Sequence, residues 1–318
     1  MPEAQAFGHN SYFGLGEETV WGTPVARTVF GEFIGDSMKA IVARAQSGAF
    51  RRRNQMNHFA AKQGAEGGLD VECSYIDKAV LRLLKHLFGA VSTAADTPVV
   101  GTHTHTFTLA DAPPVGLSLE IHRDASSAFL YAGYRINEGT FSLEPDGLLK
   151  LAVSGAAKAE TLVSATSPTY DTANLVQHSQ AAVTWGGVSK EVTNFELAIA
   201  NALALDRRIL GSRNIAAPVA EGKREVTGSF PKFFDNIAEY NDFVAATSRA
   251  LVLTLTGGII TGSTNFKITF TLADVVLEGE TPVVDSPGFL SQPLTFRAYE
   301  TASVKPVSCA VITNVATV

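Results

Sequence analysis

Cysteine is nearly absent: Cys73 and Cys309 are the only two in 318 residues. That excludes a disulfide framework or a thiolate zinc site, and both read as buried thiols. No stretch of about 18 uninterrupted apolar residues occurs, so no membrane-spanning helix is expected. The opening Met1-Pro2-Glu3-Ala4-Gln5 lacks the basic start and apolar run of an export signal, so the expected compartment is the cytoplasm in which the chain is made. Positive charge is scarce too. With 25 Lys+Arg against 31 Asp+Glu the net charge is −6, which argues against a surface built to grip nucleic acid or anionic lipid. The deficit is even: residues 1–160 hold 14 basic and 17 acidic side chains, residues 161–318 hold 11 and 14, so each part stands at −3.

Signatures of catalysis are missing as well. There is no Gly-x-Ser-x-Gly elbow, and neither cysteine has a Cys-x-x-Cys or Cys/His setting. Gly14-Leu15-Gly16 is not followed by the glycine and Lys-Ser/Thr of a phosphate cradle. Glu17-Glu18 reads as a solvated turn with nothing to mark an acid/base couple. Thr102-His103-Thr104-His105-Thr106 puts two imidazoles on one face of a strand, where they could share a metal. No further ligands stand at recognisable spacing, so the plainer expectation is an edge strand. No catalytic, cofactor-binding or metal-binding residue is expected.

What is present is a foldable composition, 46% hydrophobic and 18% charged, and an internal repeat. At a shift of 155, residues 40–75 lie without a gap on 195–230 with 11 of 36 identical. Arg52-Arg53 matches Arg207-Arg208 and Glu66-Gly67 matches Glu221-Gly222, with Val71/Val226 and Ser74/Ser229 beyond. After the first block, Ile76, Ala79, Val80, Leu83, Leu84, Leu87 and Phe88 keep helical spacing up to a stop at Gly89. After the second, Phe233, Phe234, Ile237, Tyr240 and Val244 keep the same rhythm.

Beyond each helix the period falls to two. Phe107 and Leu109, Leu117 to Ile121, Phe141 and Leu143, and Leu149 to Val153 alternate with polar residues. So do Leu251 to Leu255, Phe266 to Leu272, and Leu294 and Phe296. Such alternation means strands with one buried face. The expected fold is mainly β: two tandem β-sandwich or partial-barrel domains, each with one flanking helix. The expected boundaries are 1–163 and 181–318, with a linker at 164–180 rich in Ser, Thr and Ala. Arg51-Arg52-Arg53 is the one basic cluster; its partial repetition as Arg207-Arg208 points to a subunit contact shared by both halves. Arg51, Arg52, Arg53, Arg207, Arg208, Glu66 and Glu221 are therefore the candidate subunit or inter-ring contacts.

Three segments carry a family resemblance. Glu17-Glu18-Thr19-Val20-Trp21-Gly22-Thr23-Pro24-Val25 resembles the opening signature of the major tail tube proteins of long-tailed bacteriophages. His105-Thr106-Phe107-Thr108, followed by the strand Leu117 to Ile121, is similar to that family, as is Tyr131-Ala132-Gly133-Tyr134-Arg135-Ile136-Asn137. The resemblance implies a structural virion protein of the tail, assembled in the host cytoplasm as stacked rings whose sheets close around a channel. It also implies a loop from each domain reaching the adjacent ring, for which 40–68 and 195–223 are the candidates. The implied partners are further copies of the chain, a tape-measure protein and tail-end proteins, with double-stranded DNA passing through unbound. Two domains per chain would make trimeric rings with pseudo-sixfold symmetry. The rival readings are the inner tube of a contractile tail or secretion apparatus, a decoration or tail-completion protein, and a metal-dependent β-barrel enzyme using His103 and His105.

Overall fold

A computed structural model describes residues 6–46, 58–95, 101–279, 281–282, 284 and 288–318. Two α-helices, Lys78–Phe88 and Ala238–Val244, lie among antiparallel strands. Eight of those strands follow one another in a single sheet. Their order is Lys39–Gln46, His58–Glu72, Lys150–Ala157, Ser127–Leu143, Phe195–Ala200, Glu225–Ser229, Leu294–Ala298 and Thr264–Gly279, every pair antiparallel.

Two of these strands are long enough to serve twice. Ser127–Leu143 begins between Leu117–His122 and Ala159–Ser164, and ends between Lys150–Ala157 and Phe195–Ala200. A bulge at Ser154/Gly155 marks the change of partners. Only glycine fits there, because a Cβ on Gly155 would lie 1.9 Å from the Arg135 carbonyl oxygen. Thr264–Gly279 likewise begins between Arg249–Thr261 and Ser308–Thr313 and ends beside Leu294–Ala298.

The partners repeat throughout. In the first half Tyr12–Glu17 pairs with Val29–Gly31 and with Leu117–His122. In the second, Ala181–Trp185 pairs with Val188–Lys190 and with Arg249–Thr261. Strand order thus recurs, while register does not. At a shift of 155 the pair Glu196↔Ser229 would fall on Ile41↔Ser74, yet Ile41 lies opposite Gly64. The first half also carries an extra hairpin, Gly89–Ala95 with His103–Leu109, directly after its helix.

The halves are joined along two seams. Phe195–Ala200 adds to the end of Ser127–Leu143, and the inserted hairpin adds its His103–Leu109 strand to Ser308–Thr313. The threonine-flanked histidines therefore sit on an interior strand, not the expected edge. Their second neighbour lies about 200 residues further on, as in Ser308↔Thr108, beyond the reach of local pattern. One apolar cluster runs through both halves. Phe141 and Phe270, from different halves, meet with ring centroids 4.7 Å apart. Residues 165–174 run without regular structure but are pinned to the first half: Glu120 accepts from the Thr166 amide at 3.1 Å, and Lys78 pairs with Asp171 at 3.0 Å.

Candidate assembly interface

The two projections named by the repeat lie side by side. The hairpin of Lys39–Gln46 and His58–Glu72 extends past the sheet, and the turns of residues 205–215 run beside it. Arg208 does the joining. Its guanidinium is held by Asp206 at 2.8 Å and donates to the Gln63 carbonyl at 2.7 Å. Arg213 donates to the Ala61 carbonyl, and the Gln63 side chain to Asn214. Arg207 and Glu221 are exposed, and Glu66 forms an exposed pair with Lys39 at 3.3 Å, a contact of small energetic weight. Arg51, Arg52 and Arg53 lie outside the described residues.

These projections carry apolar side chains into solvent. Val42 and Phe59 on the hairpin are 62% and 59% exposed, and Leu210 on the adjoining turn is fully exposed. Single exposed apolar residues are ordinary on a protein surface.

The segments that carry the family resemblance are in contact with one another. Glu18, expected in a solvated turn, is instead buried. Its carboxylate accepts from the Gly22 amide at 2.6 Å, the Gly133 amide at 2.8 Å and the Ser118 hydroxyl at 2.9 Å. Trp21 donates its indole N–H to the Gly133 carbonyl at 2.9 Å, and Lys158 lies over its ring. A buried carboxylate tolerates its site only when its lone pairs are filled in this way. Glu17, its neighbour, faces the first helix. Burial opposes its charge, but bonds from His86 at 3.2 Å and Lys85 at 2.8 Å outweigh that and hold the carboxyl at about 2. Burial pushes His86 itself down, so at neutral pH the positive charge comes from Lys85 and Arg82.

His105 is fully buried with both ring nitrogens engaged. Nε2 donates to the Val315 carbonyl at 2.9 Å, and Nδ1 accepts from the Thr93 hydroxyl at 2.8 Å. A carbonyl can only accept, so the neutral Nε2–H tautomer is fixed, and burial lowers its pKa. The His103 ring stacks beside it at 6.5 Å. Among the described residues no group of three His, Cys, Asp or Glu side chains could hold a metal ion. Cys73 and Cys309 are free and buried, with burial pushing both thiols up.

Among the described residues the long sheet ends in two unpaired edges. Lys39–Gln46 has one described strand neighbour, and so does the terminal part of Thr264–Gly279, where Val276 to Gly279 pair only with residues 294–297. An unpaired strand edge presents free N–H and C=O groups to which a further strand can pair. Comparison with curated proteins gives no match. The family profile described as "Phage tail tube protein" matches residues 8–298, almost the whole span of the chain. With this match over most of its length and a mainly antiparallel β architecture, the chain belongs to the phage tail tube protein family.

Proposed function

We propose that three copies of this chain close into a ring with pseudo-sixfold symmetry, and that such rings stack into the non-contractile tube of a long-tailed phage. In this reading each chain consists of two duplicated tube-type domains, 1–163 and 181–318, fused through the segment between them. The observation that supports it is the repeated set of strand partners: two four-stranded runs with the same order of partners lie edge to edge in a single sheet. A heterologous contact that repeats around an axis closes when the rotation per copy divides the circle. Two units per chain reach six positions with three chains.

The tube acts as a conduit for the genome without binding it. Three chains at −6 carry about −18 per ring, and a wall of that sign repels a polyanion instead of trapping it. The exposed tips around Phe59 and Leu210, with Arg51 to Arg53, Arg207, Arg208, Glu66 and Glu221 near them in the chain, are suited to contact the adjacent ring. A tape-measure protein and tail-end proteins are the other partners, and assembly takes place in the host cytoplasm. Electron microscopy of the concentrated protein tests the reading: hollow tubes with threefold end-on symmetry and six similar lobes are expected. Strict sixfold symmetry with one chain per lobe would discard the two-domain ring, and a protein that stays monomeric at every concentration would discard the tube.

A further inference from the structure

The two seams that join the halves differ in one residue type. Phe195–Ala200 against the end of Ser127–Leu143 has no histidine among its paired residues, 195–200 and 138–143. His103–Leu109 against Ser308–Thr313 has two, His105 opposite Val311 and His103 opposite Thr313. His105 is fully buried, on the same face of its strand as Phe107 and Leu109. Its ring is held from both halves. Thr93, on the neighbouring strand of the inserted hairpin, donates its hydroxyl to Nδ1, and Nε2 donates to the carbonyl of Val315, just beyond the last strand. One neutral imidazole thus bonds the first half to the second. A proton added at Nδ1 would reverse the Thr93 bond and place a buried cation beside the stacked His103 ring.

The elements packed around this ring offer no charge to balance such a cation. Gly89–Ala95 has no titratable side chain, and Ser308–Thr313 has only the buried thiol of Cys309. Lys267, opposite Ile312 on the next strand, is itself a cation. The first helix, which also packs on His103–Leu109, brings Lys78, Arg82, Lys85 and His86, whose carboxylate partners are Asp171 and Glu17. Lys85 also donates to the Val318 oxygen at 3.3 Å. Among the described residues no carboxylate forms an ion pair with His105, whereas His86 has Glu17 at 3.2 Å. We propose that the seam between His103–Leu109 and Ser308–Thr313 is an acid-released clasp, closed while His105 is neutral and loosened when it takes a proton. Burial holds this imidazole below its ordinary pKa, so the folded state binds the proton less tightly than the unfolded chain. The stability conferred is therefore complete above about pH 6.5 and is lost as the pH falls below it. Loosening would uncover one edge of His103–Leu109 while the other seam stays closed. The clasp lies within one chain and is independent of how copies assemble.

Hydrogen exchange of the full chain, followed by mass spectrometry and corrected for the intrinsic pH dependence of amide exchange, tests the clasp. Peptides covering His103–Leu109 and Ser308–Thr313 are expected to exchange several-fold faster at about pH 5 than at about pH 7.5, while those covering Phe195–Ala200 keep one corrected rate. His105→Gln keeps an N–H for the Val315 carbonyl and takes no proton, so its seam is expected to exchange equally at both values. His103→Gln leaves the clasping ring in place and is expected to retain the response; losing it would move the switch to His103 and overturn the assignment. A His105→Gln chain that still loosens in acid would overturn it as well. Where that variant does not fold, the unmodified chain still decides. Equal corrected rates at both pH values, or equal acceleration at both seams, would leave no clasp.

Discussion

The two helices occupy the same place in the strand order and are held in place by opposite means. Lys78–Phe88 is long, capped at its start by Asp77, whose side chain accepts from the Ala79 amide at 2.7 Å. It closes at Gly89 with φ of 95°, a left-handed turn that glycine takes without strain. It buries Ala79, Val80, Leu81, Leu83, Leu84, Leu87 and Phe88. Ala238–Val244 is seven residues, lacks a side-chain cap, and buries Glu239 and Asp242. Glu239 lies between Lys190 at 2.5 Å and Lys232 at 3.0 Å. Asp242 accepts from the Trp185 indole at 2.9 Å and from both forks of Arg249 at 2.6 and 2.8 Å. Of the apolar residues whose spacing predicts this helix, Ile237 and Val244 are 60% and 63% exposed, Phe234 and Tyr240 are half-buried, and Phe233 stands ahead of the helix, in contact with Phe289. A period of 3.6 places residues on one face; it does not decide which face the protein buries.

That contrast can be broken at either helix. Phe88→Ala is expected to cost the most, about 3–5 kcal/mol, because it empties a fully buried site; a thermal melt that moves by only a degree or two would show the first helix is not held by its apolar face. Lys232→Ala comes next. It strips one of two cations from a buried carboxylate, and the loss is expected at about 2–3 kcal/mol, below that of an isolated buried pair because Lys190 remains. Chemical denaturation checks it, and Lys232→Arg should recover most of the loss.

Protonation separates the helices more finely. Burial raises the Asp77 carboxyl to about 6 although it accepts two backbone N–H bonds. Its folded pKa stands above the unfolded value near 3.8, so the folded state holds the proton more tightly. The stability this confers is complete below about pH 4 and is lost as pH rises through 6. Glu17, held at about 2, has the opposite sign, its contribution being present above about pH 4.5 and lost toward pH 2. Glu239 and Asp242 are both lowered, burial in each case being outweighed by their cationic partners, so the second helix loses stability only on acidification. Asp77→Asn retains a capping group, and is expected to match the parent at pH 4 and exceed it by about 1–2 kcal/mol at pH 7. Equal urea midpoints at both values would sink that assignment. The smallest effect belongs to Ile237→Ala, expected within about 0.5 kcal/mol because the side chain is exposed, against several for any apolar residue of the first helix.

Much of the fold was legible because it is local. The alternation from Leu117 to Ile121 and from Leu251 to Leu255 appears as strands with those residues buried, and the first helix ends where Gly89 announces it. What escaped the sequence is non-local. Nothing near His103 or His105 tells that Ser308–Thr313 will lie alongside, turning an expected edge into an interior strand. Nothing in Glu17-Glu18 shows that Gly133 and Ser118 will converge on Glu18. Of the candidate contacts, the repeat singled out both arginines at 207–208, yet only Arg208 is bound to the first-half hairpin, a distinction set by where the turn lies.

The pairing of Ser308–Thr313 with His103–Leu109 also governs time. Strands about 200 residues apart must meet before the second seam exists, and contacts so distant in sequence make folding slow. During synthesis the hairpin emerges long before its partner, so its outer strand pair waits with one edge uncovered while the rest of the chain is made. Only a chain that carries Ser308–Thr313 can complete that seam. A chain that stops short of Ser308–Thr313 therefore keeps His103–Leu109 as an open edge, and the seam itself separates usable molecules from unfinished ones.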